Sequence, residues 1–428
     1  MRTALSSIHA HVSQFAYKIC TSRRGFWTCV ALITVIKVTL ATASLLGPDY
    51  VSYLSDAVAN AGAFSWSPWL LLTHQIYSFW LWLPLDHGNI PRALRVSSSP
   101  LLPSYYLLTI LIKGPLIAAD MLSAFLVYQL GRRLNGKWVG RKASLLWLGN
   151  PLAILFIEMW GSIEIITIFF TLVGLDLILN GHYRSGASSF AAGIIVKASP
   201  IVAGVAGLIW VIRKKAGKAN AFMFLLAIAF GTLAYFYWFS QGQVEAVTGF
   251  LTDPAPYFAL NTEVIQSFSQ YAPLESYLGF GTIGLAFFWI IAGEIWPPAD
   301  RAFIALLLTS NLLIYSLASW LPTAFLWAVP LMILWDPCAE DRRYYYVFCC
   351  LVLVYTMTLD ADLLTSSGHS FLSVPYGFVP GASTLVKFII QFGQLSSSLF
   401  AVQIRSIFVA FSFFYSAVVI WKSLRGGG

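Results

Sequence analysis

The stretch 105-YYLLTILIKGPLIAADMLSAFLVYQLGRR-133 decides what kind of protein this chain makes. From Tyr105 to Leu130 its only charged residues are Lys113 and Asp120, and it ends on Gly131-Arg132-Arg133. A hydrocarbon core about 30 Å thick takes roughly 20 consecutive apolar residues as a helix. The stretch therefore reads as a membrane span, and the arginines that close it mark a cytoplasmic boundary.

The rest of the 428 residues agrees: 58% are hydrophobic, 16% aromatic and only 10% charged, with a mean hydropathy of +0.74. A soluble domain carries roughly 25% charged residues, so a water-soluble globule is excluded. Outer-membrane barrels alternate polar and apolar residues, and the long apolar runs here do not. The fold class expected is an all-α polytopic membrane protein. The net charge of +8 is spread over short clusters, Arg23-Arg24, Arg132-Arg133, Arg141-Lys142, Arg213-Lys214-Lys215 and Arg342-Arg343. That is the pattern of cytoplasmic loops and not of a nucleic-acid-binding stripe. The five cysteines fall in or beside such loops or inside spans, and are expected to be free thiols.

Spans are expected at 26–47, 105–130, 144–160, 164–180, 220–239, 276–296, 302–319, 323–335, 344–360 and 402–421. The stretch 186–212 is interrupted at Lys197-Ala198-Ser199-Pro200 and followed by Arg213-Lys214-Lys215. One continuous span would carry those cations outside, so two short helices that enter and return are expected. This makes about 12 membrane segments in a single integral-membrane domain, 1–428, with both termini cytoplasmic and residues 1–25 a cytoplasmic N-terminus. Three long segments then share the outer face: 48–104, 240–275 and 361–401. The first is rich in Trp and Pro, and its aromatic part, 64–83, is expected to lie in the interface plane.

Ionisable groups at membrane depth are costly and are functional candidates by default. Asp49 and Asp56 stand just beyond the first span, and Lys37 lies inside it. Lys113 and Asp120, seven residues apart, share one helix face. The alternatives for them are a meeting with a lipid phosphate or an ion pair with another helix, for instance through Glu158 or Glu164. These two carboxylates flank an outer turn beside Trp160. Lys197 sits in the broken segment, and Asp360-Ala361-Asp362 has the spacing of a metal–diphosphate site. His74, His87 and His369 are expected on the outer face. No Walker loop, HExxH or GxSxG motif occurs, which excludes P-loop ATPases, zincins and serine hydrolases of those patterns.

Several of these elements together carry a resemblance. They are Gly47-Pro48-Asp49-Tyr50, Ser65-Trp66-Ser67-Pro68-Trp69, the run Lys113 to Asp120 with its basic turn, Asn150-Pro151, Gly161-x-x-Glu164 and the break at Lys197–Pro200. The chain resembles the GT-C superfamily of integral-membrane glycosyltransferases. Within it, the nearest likeness is to the polyprenyl-phosphate-sugar-dependent mannosyltransferases that include the GPI mannosyltransferase I catalytic subunit and archaeal relatives. The first outer segment lacks the Asp-x-Asp of the GPI enzymes.

The resemblance implies an inverting hexosyltransferase, a mannosyltransferase by preference, working on the outer or lumenal face. Its donor would be a dolichyl- or other polyprenyl-phosphate sugar, and its acceptor a lipid-linked or surface glycan. Asp49 would be the base, with Asp56 second. Arg92, Arg95, Lys113 and Lys387 would hold the donor phosphate, and Trp66, Trp69, His74, Glu158 and Glu164 would line the substrate site. The cofactor stays open, a divalent cation such as Mg or Mn included, and no metal ligand is assigned. The membrane would be that of the endoplasmic reticulum or the plasma membrane of a prokaryote or archaeon. The rival readings are a transporter or flippase of lipid-linked saccharides and a non-catalytic membrane subunit of a glycan-assembly complex.

Overall fold

The computed structural model describes residues 22–43, 68–85, 103–197, 199–239, 299–318, 322–335, 343–367 and 397–425. Every element among the described residues is helical. Among the described residues, five helices are long and apolar enough to cross a membrane, at 23–42, 106–135, 137–159, 218–235 and 406–424. The chain is a helical membrane protein.

Helix α1, Arg23–Ala43, turns Leu32 and Val35 outward and carries Lys37 fully buried on its inner side. Helix α2, Pro68–Trp82, buries Thr73, His74, Tyr77 and Trp80, which recur at helical spacing, and leaves Phe79 and Trp82 exposed. The Trp80 indole N–H donates to the Ser104 carbonyl at 2.9 Å and ties this one-sided helix to the next.

Helix α3, Pro103–Asn135, runs through Pro115 without ending. Gly136 (φ 89°) then reverses the chain into α4, Lys137–Leu148. The two pack so closely that a Cβ on Gly140 would stand 2.5 Å from the Tyr128 carbonyl oxygen. Small residues at such a crossing let main chains approach inside a membrane.

Asn150 stops α4 and starts the next turn. Its side-chain oxygen accepts from Leu152 N at 2.8 Å and Ala153 N at 3.0 Å, and Pro151 occupies the first helical position. The turn Pro151–Ala153 leads into a π-helical stretch, Ile154–Met159. Helix α5, Glu164–Leu179, and α6, Tyr183–Val196, follow.

The expected break at 197–200 is present. Lys197 is extended (φ −160°, ψ 142°), and α7, Ile201–Arg213, starts anew after Pro200. At 1.5 Å per residue each half is about 20 Å long, too short to cross. Helix α8, Lys218–Phe239, shows how the halves run. Arg184 reaches Asn220, and Ala191 and Ile194 lie against Gly231, so α6 is parallel to α8. Gly207 abuts Phe224 and Gly204 abuts Ile228, so α7 is antiparallel. The pair enters and returns on one face.

The remaining described elements are α9 (Asp300–Ala318), a 3-10 turn Pro322–Trp327, α10 (Ala328–Trp335), α11 (Arg343–Ser367) and α12 (Ser397–Arg425). Helices α11 and α12 run antiparallel, with Tyr344 stacked on Tyr415 at 4.9 Å and Phe348 beside Phe408 at 5.5 Å. The expected span 276–296 and the segment 240–275 lie outside the described residues.

Helix ends with basic residues gather on one face. Arg133 pairs with Asp300 at 3.4 Å, Lys214 approaches the same carboxylate at 3.9 Å, and Arg301 bonds Asn135. Arg133 also bonds Asn180 and the Leu179 carbonyl. The basic ends of α3 and α7 thus meet the start of α9, and Arg133 ties the end of α5 to them.

Candidate functional site

Two polar clusters lie away from the Arg133–Asp300 contact. The first joins three elements. The Lys37 ammonium of α1 donates to Asp120 Oδ2 of α3 at 2.7 Å and to Glu158 Oε1 of the π-helical stretch at 3.1 Å, with all three side chains fully buried. The other Asp120 oxygen accepts from the Trp147 indole N–H at 2.8 Å. Burying an ammonium is costly, and close counter-charges such as these offset the cost. The π-helical stretch supplies one of them, and π segments recur where a helix re-aims a side chain.

Lys113 borders this cluster without joining Asp120. Its ammonium donates to the carbonyls of Ala41 at 3.2 Å, Glu158 at 3.0 Å and Met159 at 2.8 Å, and the side chain is fully buried. These acceptors stand at the end of α1 and the end of the π-helical stretch, where helices leave carbonyls without intrahelical partners. The ammonium fastens these main-chain ends and stands within electrostatic reach of the Glu158 carboxylate. The shared face of Lys113 and Asp120 is inward for both, and Glu158 meets Lys37 through its carboxylate and Lys113 through its carbonyl.

The second cluster forms at the tip of the broken pair. The Lys197 ammonium pairs with Glu164 Oε1, and the Trp327 indole N–H donates to Glu164 Oε2 at 2.7 Å. Glu164 is 1% exposed, whereas the Lys197 side chain retains 24% exposure. Tyr235 of α8 lies within electrostatic reach of both charges. Glu164 opens α5 at its first turn, where the helix dipole favours a carboxylate. Two carboxylates that flank an outer turn read from the sequence as open to solvent. The structure buries both, because Lys37 and Lys197 reach them from other helices.

Glu164 and Lys197 lie at the ends of α5 and α6 opposite the basic face, whereas Asp120 of the first cluster stands about 20 Å along α3 from Arg133. No family model matches this chain, and no curated protein matches it significantly.

Among the expected site residues, His74 faces inward on α2 and is buried. Trp69 is in α2, but its side chain is not among the described ones, nor are those of Asp360 and Asp362 near the end of α11. Asp49, Asp56, Trp66, His87, Arg92, Arg95, His369 and Lys387 lie outside the described residues. Among the described residues no three His, Cys, Asp or Glu side chains converge as a metal site, and Cys29, Cys349 and Cys350 are free thiols. Asn150 is a structural cap whose amide donates to the Tyr345 hydroxyl at 2.6 Å. Three partners were not singled out as such from the sequence: Lys37, Trp147 and Trp327. The signal for Lys37 was available, as a lone ammonium in the middle of a span.

Proposed function

We propose that the chain is a GT-C-like membrane glycosyltransferase with about 12 membrane segments and both termini in the cytoplasm. It moves a hexose, mannose by preference, from a polyprenyl-phosphate donor to a lipid-linked or surface glycan on the outer or lumenal face. The observation that carries the reading is the partly exposed Lys197–Glu164 pair at the tip of the broken helices. A cation that keeps 24% exposure at the junction of two short helices supports a role in holding a lipid-borne anion. A lipid-borne phosphate needs a cation, and an acceptor hydroxyl needs a base beside it.

In this reading Asp49 deprotonates the acceptor hydroxyl, with Asp56 as the second candidate. The hydroxyl oxygen attacks the anomeric carbon, the bond to the phosphate oxygen breaks, and the polyprenyl phosphate leaves with its charge. Displacement from the opposite side inverts the anomeric centre. Lys113, Arg92, Arg95 and Lys387 are the cations assigned to the donor from the sequence.

A transporter of lipid-linked saccharides is the competing reading. It would draw on the buried Lys37, Asp120 and Glu158 as a charge-bearing path. Sugar transfer by purified protein separates the two. Dolichyl-phosphate-mannose and the glucose donor are supplied in turn with a crude glycolipid extract, for wild type and Asp49→Asn. Label reaching product with wild type alone supports the transferase and its base. Absence of transfer by folded, donor-binding protein favours transport or a subunit role.

A further inference from the structure

Three lysines stand at membrane depth among the described residues, and they differ in one respect that decides which can meet a ligand. Lys37 and Lys113 are sealed, each at 0% exposure, inside a mesh of carboxylates and carbonyls. The Lys197 side chain keeps 24% exposure while its counter-ion, Glu164, keeps 1%. The arrangement is therefore a buried anion holding a half-open cation, at a point where main chain is unwound between α6 and α7.

From this asymmetry we infer that Lys197 is the phosphate-binding residue of a lipid-borne phosphate, with Glu164 as the carboxylate that holds it when no ligand is present. The inference rests on the transferase reading and names a residue for its donor. A phosphate presents several charged oxygens to the ammonium and can replace the Glu164 bond with a charge-assisted bond of the same kind. When Lys197 turns to the ligand, Glu164 keeps the Trp327 indole N–H on its other oxygen, 2.7 Å away. The buried carboxylate is thus not left bare. Tyr235 flanks the pair from α8. Unwound backbone inside a membrane is tolerated where it is buried in protein or lines a cavity.

The test uses full-length protein in nanodiscs of neutral phosphatidylcholine and 32P-labelled citronellyl phosphate as the probe. Lys197→Gln should weaken binding about tenfold or more, the usual scale for losing one charge-assisted contact. Lys197→Arg should restore most of it. Glu164→Gln should bind at least as tightly as wild type, since it removes the competing anion and retains an acceptor for Trp327. A merely structural pair would behave otherwise, with both neutral variants losing binding together.

The inference is overturned if Lys197→Gln binds like wild type, or if Glu164→Gln loses binding as Lys197→Gln does. Should Lys197→Gln fail to fold, Glu164→Gln decides alone, with weaker binding as the contrary result. Inorganic phosphate competing at the concentration of citronellyl phosphate would overturn the lipid-borne source, and failure to compete supports it. Sugar transfer that persists undiminished in Lys197→Gln sinks this inference while leaving the transferase reading intact.

Discussion

Lys37 and Asp120 are separated by 83 residues of chain and meet at 2.7 Å with neither side chain touching solvent. Glu158 joins them from 121 residues beyond Lys37. This contact matters because α1 is otherwise held weakly: only 17% of its apolar window is buried inside the bundle. Lipid tails are as apolar as its leucines, so apolar contact alone drives little association. The Lys37 ammonium is a buried polar tie between the first span and the bundle, beside the Lys113 bond to the Ala41 carbonyl.

Lys37→Met should therefore be strongly destabilising. Removing one partner of a buried ion pair costs about 3–5 kcal/mol, because the remaining charges are left uncompensated. Unfolding followed by denaturant titration in mixed micelles should show a loss of this size. Adding Asp120→Leu should recover part of it, since one stranded carboxylate goes. A loss under 1 kcal/mol for Lys37→Met would show that the cluster does not hold α1.

Two glycines of α3 and α4 should respond oppositely to alanine. A Cβ at Gly140 meets the Tyr128 carbonyl oxygen at 2.5 Å and Arg132 N at 2.8 Å, all main chain that cannot step aside. Gly140→Ala should cost about 1–3 kcal/mol by forcing the hairpin apart. At Gly114 nothing lies within 4 Å of the added carbon. Gly114→Ala should be neutral, or stabilising by up to about 1 kcal/mol through helix propensity. Equal thermal shifts for both variants would contradict this crossing.

The helices were legible because each apolar run is long and each is punctuated by Pro, Gly or a basic cluster. The break at Lys197–Pro200 was legible for the same reason: Pro200 disfavours helix at the residue before it, and three cations follow α7. Which charge meets which was not legible. Lys113 and Asp120 do share a face, yet helical spacing says nothing about a partner on α1 that arrives from another part of the chain. The burial of Glu158 and Glu164 was hidden likewise. A carboxylate at a turn reads as solvated until Lys37, Lys197 and Trp327 close over it, and those contacts are set by tertiary packing.

Trp327 offers a narrower test of the second cluster. Its indole N–H donates to Glu164 Oε2 at 2.7 Å, and the indole is buried. Trp327→Phe keeps the packing and removes the donor. A hydrogen bond to a charged group contributes about 1.5–3 kcal/mol, so a loss in that range is expected by denaturant titration. In a Glu164→Gln background the same substitution should cost less, because the acceptor is then neutral. Equal costs in the two backgrounds would place the energy in packing rather than in the charge.

The re-entrant course of α6 and α7 predicts on which side two exposed residues lie. Ser185 opens α6 and Lys215 follows α7, and both are exposed. Arg184 beside Ser185 bonds Asn220 of α8, while Lys214 beside Lys215 approaches Asp300. Single cysteines at 185 and 215, placed in a cysteine-free background, should therefore react with a membrane-impermeant maleimide from the same side of sealed vesicles. A cysteine at Leu85, exposed beyond the end of α2, should react from the other. A continuous span over 186–212 would instead put 185 and 215 on opposite sides. That outcome would also move Arg213, Lys214 and Lys215 away from Arg133. Asp300 could then no longer stand between Arg133 and Lys214 as it does at 3.4 and 3.9 Å.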